Sequence, residues 1–419
     1  MSDSTVSTAR ESRKSREGYE RDFEVIVVGA GPAGSTLAAE IALAGHQVML
    51  LDKASFPRHK ACSEYINPAG AQVLEELGVT DDVMRLGAHR MDAMIVHAPN
   101  GHHFTANFAK AEPGRAALGL SRYQLDKLLL DRARAAGVIV CERAHVRNIL
   151  QENGRVVGVD AIIGGTHESI RAALVVGADG HDSIVTRSLG LNVPLRWPHK
   201  TGFAVHYRGV RNLDRFGEMH VGHGSYAGLA PLENGTANVA IVANVRAVEE
   251  RTGSVADFFT QTLEAIPSLA HRLDGAEQIR SIRGVGSMAQ RARRTTGAGY
   301  LLVGDAASFL DPFTGEGIYE ALRGAQLAAP VVIAALQAGS TSAASLEPYR
   351  VARRKTFTTK REVCWIVQGI IASPSLMNYV TDRLERREDL GLTLSGVLGN
   401  FRPASRALSP VFLARLLRP

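Results

Sequence analysis

Cysteine is scarce in this 419-residue chain: Cys62, Cys141 and Cys364 are all it has. An odd, widely spaced trio is a poor disulfide framework, which points to a reducing compartment and a cytoplasmic protein. Three thiols also cannot close a four-thiolate zinc or iron–sulfur site. No run of 18 apolar residues occurs, so no membrane-spanning helix is expected. Residues 1–21 are polar, of mixed charge and without an apolar core segment; they predict a disordered tail rather than a secretory signal. There is no internal repeat, and the 41 glycines follow no Gly-X-Y period, which excludes collagen and leaves them to turns and close backbone approaches.

What is present is ordinary in bulk: 45% hydrophobic and 21% charged residues. That balance fits a globular chain of two or three domains with cores large enough to need no covalent staples. The net charge of +6 is unevenly placed. Residues 350–419 hold 13 basic and five acidic side chains, a net of +8. Such an end suits solvated helix faces, or contact with anionic lipid, nucleic acid or an acidic partner.

Glu24 to Val28 is a short β-branched run that reads as a strand buried on both faces. A small-residue helix over about 32–44 and a second apolar strand, Gln47 to Leu51, complete a βαβ unit and imply a parallel pair. Asn100-Gly101, Asn153-Gly154 and Asn234-Gly235 each predict a hairpin. Helical patterns cover 122–136, 255–273 and 318–337, and from Ser345 the chain reads as helical with breaks near Pro374 and Pro403.

Between the first strand and helix lies Gly29-Ala30-Gly31-Pro32-Ala33-Gly34, a GxGxxG. Gly29 permits the tight turn, Gly31 a close approach to a pyrophosphate, and Gly34 close packing of helix on strand. The helix start aims free N–H groups and partial positive charge at phosphates. Asp52, at the end of the second strand, stands where a carboxylate grips a ribose hydroxyl. Two later segments repeat the plan of strand, acidic turn and glycine: Gly177-Ala178-Asp179-Gly180, and Gly304-Asp305-Ala306-Ala307 followed by Asp311-Pro312-Phe313-Thr314-Gly315-Glu316-Gly317-Ile318.

These three motifs in order resemble the FAD-dependent oxidoreductases typified by p-hydroxybenzoate hydroxylase. The stretch Phe56-Pro57-Arg58-His59-Lys60-Ala61-Cys62 is similar to the Arg-x-Lys-x-Cys-Gly of the geranylgeranyl reductase-like branch. The resemblance runs over about 22–337. It implies an α/β fold: a Rossmann-like FAD-binding domain (22–75, 115–195 and 290–340), an interwoven antiparallel-sheet substrate domain (76–114 and 196–289) and a helical C-terminal region (341–419). It assigns the FAD pyrophosphate to Gly29, Gly31, Ala33 and Gly34, the adenosine end to Asp52, Lys53 and Val146, further FAD contacts to Arg58, Arg122 and Asp179, the ribitol to Gly304 and Asp305, and the flavin ring to Gly315, Gly317 and Ile318. Cys62 and Ser63 would lie by the ring, with Cys62 as the catalytic candidate and Arg58 and Lys60 favouring its thiolate.

The resemblance has gaps. Ser63-Glu64-Tyr65 stands where the branch places two small residues, and Tyr226 to Leu232 replaces its Trp-containing substrate motif. The halogenase Trp-x-Trp-x-Ile-Pro is absent; the two tryptophans are Trp197 and Trp365. There is no second nucleotide-binding GxGxxG, so NADPH or NADH would visit transiently, or another protein would donate electrons. The expected activity is hydride transfer from reduced flavin to an apolar isoprenoid or polyketide-like substrate. The alternatives are an NAD(P)H-dependent monooxygenase of aromatic or polyketide-like compounds and a flavin-free prenyl-binding escort. A peripheral membrane contact through the basic C-terminal region is compatible with each. His220 and His223 form an H-x-x-H that strand or loop spacing does not turn to one face, so no metal site is expected.

Overall fold

The computed structural model describes residues 13–14, 20–286 and 288–418. Most of the tail expected over 1–21 lies outside the described residues; the backbones of 13–14 and 20–21 pair antiparallel. Phe23–Val28 is buried except at Glu24 because both of its faces are covered. Its sheet runs in the order Ile139–Cys141, Val48–Leu51, Phe23–Val28, Thr166–Gly177, Arg155–Ile163, His145–Glu152. The first four strands are mutually parallel, and Tyr300–Leu302 adds to Thr166–Gly177, also parallel. Thr166–Gly177 serves two pairings: its first half closes an antiparallel hairpin with Arg155–Ile163, its second half joins the parallel sheet. A second sheet takes strands from 93–107 and 200–285, in the order Glu277–Gln278, Lys200–Arg208, Thr236–Asn244, Ser225–Pro231, Gly217–Val221, Ala93–His97, His103–Asn107. The architecture is mixed α/β, as the motifs imply.

All three Asn-Gly pairs lie between antiparallel neighbours. Asn153 and Gly154 (φ 49° and 76°) and Asn234 and Gly235 (59° and 66°) both take the left-handed conformation of a tight turn. At the third site only Gly101 does (90°), and the loop is longer because Asn100 Oδ1 accepts from His102 N at 3.2 Å. The helix expected over 255–273 stops at Glu264: Pro267 restricts the residue before it, and a 3₁₀ turn follows. At its start, Ser254 and Asp257 form a reciprocal capping box. After Ser342 the chain is helical over Ala343–Ile371, Pro374–Arg386, Glu388–Leu398, Ser405–Leu408 and Pro410–Leu417. The breaks at Pro374 and Pro403 are present, and the chain also breaks at Arg387 and at Ser409. Among the described residues, no single helix is long and apolar enough to cross a membrane; the bent pair Ala343–Ile371 and Pro374–Arg386, at 114°, passes that test only jointly.

Candidate functional site

The glycine turn leaves no room for side chains at two of its three glycines. A Cβ on Gly29, whose φ is 101°, would lie 2.5 Å from the Ala178 carbonyl oxygen, and one on Gly34 would lie 1.9 Å from Gly29 O. Thus the Gly177–Gly180 loop packs directly beneath the first turn, and Ala178 N donates to Val28 O at 2.8 Å. Gly31 is different. It is extended (φ −77°, ψ −174°) and open in front, where the nearest atoms to a Cβ are Arg122 Nη2 at 3.6 Å and Arg58 Nη2 at 4.0 Å. The helix Pro32–Leu43 begins with no side-chain cap, so its first-turn N–H groups are not satisfied by a capping side chain. Asp52 accepts from Ala30 N at 2.7 Å and from Ala54 N at 2.8 Å, which ties the turn to the end of the second strand. Lys53 is exposed and Val146 half-buried on the flanking strand; neither lines the cleft described next.

One cleft collects the three separated motifs. It encloses about 1290 Å³ of non-atom space, part of it open to solvent. Gly31 and Ala33 line it from the first motif, Gly304, Asp305, Gly315, Gly317 and Ile318 from the last, with Cys62, Ser63 and Arg122 between. Gly304 (φ 57°) brings the late turn against the early helix: a Cβ there would stand 3.2 Å from Ala33 Cβ. Gly315 (φ 67°) lies on the Tyr65 ring, which a Cβ would meet at 2.6 Å. The helix Gly317–Gln337 also begins with no side-chain cap. Asp179 lies outside this lining; its Oδ2 accepts from Ile184 N at 2.6 Å, its Oδ1 has no hydrogen-bond partner among the described residues, and burial raises its carboxyl.

Cations gather at the Gly31 end. Arg122 grips the fully buried Asp126 with two bonds, 2.6 and 2.8 Å, and Arg58 adds a third at 2.8 Å. Lys60 opens onto the cleft, 2.9 Å from where a Cβ on Gly180 would stand. Its ammonium is held below the ordinary lysine range, because surrounding protein displaces hydrating water and because Arg122 and Arg58 are close. Asp305 is pushed up by desolvation, against the pull of Lys60 and Arg122.

The thiolate expected at Cys62 is corrected here. Desolvation dominates and pushes the thiol up; the opposing cation is Arg122, and nearby Glu64 reinforces the rise. At neutral pH Cys62 holds its proton. Peptide-mapped alkylation by iodoacetamide should show a Cys62 rate midpoint at higher pH than a free cysteine run alongside; a midpoint below it would restore the thiolate.

Sequence reasoning missed the residue that organises this wall. Glu64 is buried in the left-handed region (φ 56°) and accepts from Arg122 N at 2.8 Å, His206 Nε2 at 2.5 Å and Asn238 Nδ2 at 3.0 Å. Asn238 Nδ2 also donates to Cys62 O at 2.9 Å. His206 and Asn238 come from strands of the other sheet and Arg122 from the start of the helix Arg122–Ala135, and no local pattern announces the meeting. On the far wall Phe203, Met219, Tyr226, Val242 and Met288 present apolar surface. Tyr226 donates to Asp311 Oδ1 at 2.6 Å, as does Gln368 at 2.8 Å; burial and then Asp311 push the phenol far above its usual range.

His220 and His223 are apart: the first is buried in Gly217–Val221, the second exposed in the turn. His220 instead stacks on His97, with centroids 4.3 Å apart, and bonds Glu218 at 2.8 Å. A cation could in principle be held by His97, Glu218 and His220, but Arg272 takes both Glu218 oxygens at 3.0 Å and His220 Nδ1 is engaged with Ser268 at 2.8 Å. Glu218 is thus committed to an ion pair with Arg272, and the two imidazoles stack beside it. Burial lowers His97 to about 4, with His220 as the next cause, and burial lowers His220 too. Folded pKa values below the unfolded value give stability that is full above pH about 6.5 and lost as pH falls toward about 4. The slope is at most about 1.4 kcal/mol per pH unit for each imidazole. Urea midpoints over this range should fall less steeply in His97→Gln.

A family model described as an FAD binding domain matches residues 22–361. A digeranylgeranylglycerophospholipid reductase of Methanopyrus kandleri is 33% identical over 88% of this chain and 92% of its own length. A geranylgeranyl bacteriochlorophyll reductase-like structure from Thermoplasma acidophilum superposes with a TM-score of 0.77 at 23% identity, covering 87% of this chain and 92% of that one. A myxobacterial chondrochloren halogenase superposes at 0.75 with 26% identity, covering 80% of each chain.

Proposed function

The chain belongs to the FAD binding domain family and is an FAD-dependent oxidoreductase; from that premise we propose that it reduces carbon–carbon double bonds of an apolar, isoprenoid-bearing lipid, with NADPH or NADH as transient electron donor. The observation that carries this reading is the single cleft with two helix starts lacking side-chain caps, cations at one end and apolar walls at the other. That donor set fits a molecule with a diphosphate in its middle and a flat, largely apolar ring at its end. Its relatives named as lipid reductases supply the substrate class.

In this reading the turn amides after Gly31, with Arg58, Lys60 and Arg122, hold the pyrophosphate. Gly29 and Gly34 keep the main chain close, Asp52, Lys53 and Val146 face the adenosine end, and Asp179 stiffens the loop beneath. Asp305 binds the ribitol, and the helix start at Gly317 and Ile318 lies against the ring. When bound, FAD supplies the hydride that, with one proton, saturates the double bond. Phe203, Met219, Val242 and Met288 exclude water and hold the apolar chain. Cys62 brings a thiol that keeps its proton at neutral pH and so is available to donate it. The parallel sheet serves as the FAD-binding part, the antiparallel sheet as the substrate part, and the C-terminal helices cover them, their basic surface offering a peripheral membrane contact.

The test is a visible spectrum of the purified protein, then stopped-flow flavin reduction by NADPH and NADH, then anaerobic turnover of a geranylgeranylated phospholipid. Saturated product without oxygen is expected. Product that forms only with oxygen, carrying an added oxygen atom, would replace the reductase by a monooxygenase.

A further inference from the structure

We propose that the stacked indoles of Trp197 and Trp365 are where this protein rests on a bilayer containing anionic lipid, at the entrance through which its substrate arrives. The inference deepens the proposed function and rests on its lipid-borne substrate. The two rings lie 5.5 Å apart and 25° from parallel, yet are 42% and 37% exposed, and Ile366 beside them is 45% exposed. Tryptophan on a surface, with arginine and lysine nearby, is the composition that settles in the headgroup region of a membrane.

Charge points to the same occupant. Arg196 is exposed beside Trp197, and the outward face of Ala343–Ile371 carries Arg354 and Lys355. None of these three has an ion pair among the described residues. Glu362 is the acidic residue exposed between them and Trp365 on that helix. An anionic surface would neutralise the excess, which nothing else in the described structure does.

The position gives the surface a purpose. Lys200, which opens a strand three residues after Trp197, meets Gln368, three residues after Trp365 on its helix: Lys200 Nζ donates to Gln368 Oε1 at 2.6 Å. Gln368 then bonds Asp311, which accepts from Tyr226 on the cleft wall. The indole pair is the outer rung and the Lys200–Gln368 pair the inner rung of one seam between strand and helix. A bilayer resting on the indoles would therefore meet the seam that ends at the cleft.

The chain's only tryptophans are these two, so tryptophan emission, excited at a wavelength that tyrosine does not absorb, reports this surface alone. Vesicles of phosphatidylglycerol and phosphatidylcholine with brominated acyl chains should quench it strongly, pure phosphatidylcholine weakly, and 0.5 M salt should reverse the effect. Flotation of the FAD-loaded double variant Trp197→Gln/Trp365→Gln with the mixed vesicles should fall about tenfold or more, with an unchanged flavin spectrum. Unquenched indoles overturn the proposal. So does undiminished flotation of the double variant, which would move the contact to Pro410–Leu417, where Val411 and Leu417 are exposed, or to another surface. If the indoles are quenched but no isoprenoid lipid is reduced, the docking surface stands and the reductase reading fails. If detergent-dispersed substrate is reduced but the indoles are not quenched, the reverse holds.

Discussion

Gly31→Val folds and is colourless. Residue 31 is extended, at φ −77° and ψ −174°, where any L residue is at ease. A Cβ there meets only the tips of Arg122 and Arg58, at 3.6 and 4.0 Å. The valine methyl groups therefore project into the cleft in front of the helix start and leave the protein's own packing alone. FAD affinity should fall about 100-fold or more, equivalent to roughly 3 kcal/mol of lost pyrophosphate contact. Far-ultraviolet circular dichroism and the urea midpoint of the FAD-free protein should stay at wild-type values. Gly34→Ala is the informative contrast. Its Cβ would stand 1.9 Å from Gly29 O, so the turn itself breaks and loss of FAD comes with loss of stability. A Gly31→Val protein that stays yellow with one FAD per chain would remove the first motif from the site.

Arg122→Met should destabilise the fold by about 3–5 kcal/mol, the range for stripping one partner from a buried ion pair. Asp126 is fully buried, and two of its three charge-assisted bonds come from Arg122. Burial opposes the guanidinium's charge, but Asp126 beside it holds it protonated. The double variant Arg122→Met/Asp126→Leu removes the orphaned carboxylate along with the cation and should recover at least half of the loss, read from urea midpoints. Neither variant should retain FAD normally, since Arg122 faces the position in front of Gly31. A single variant as stable as wild type would show that Arg58 alone satisfies Asp126.

The cofactor part of this protein was legible because its determinants are local. GxGxxG between a β-branched strand and a small-residue helix is read within one turn: the demand at Gly34 comes from Gly29 O, and at Gly29 the positive φ favours glycine whatever the distant Ala178 loop does. Asn153-Gly154 and Asn234-Gly235 are equally local, as left-handed pairs are dictated by the residues themselves. The substrate side was not legible. Glu64 accepts from His206 and Asn238, which lie 142 and 174 residues further along the chain, and Tyr226 meets Asp311 after a gap of 85. Alternation along a strand says which residues face inward, but not which inward residue of one sheet meets which loop of another.

Cys62 shows the difference at a single atom. Its neighbours in sequence, Arg58 and Lys60, argue for a thiolate; burial and Glu64 decide for a thiol. By itself the sequence determined the family, the cofactor and the parallel pairing of the first two strands, because short-range sterics and helix-start electrostatics require particular residues at fixed spacing. Only the tertiary structure decided the protonation of the site, the wall opposite the flavin position and the exposed indole pair, because desolvation and through-space charge depend on which distant segments the fold brings together.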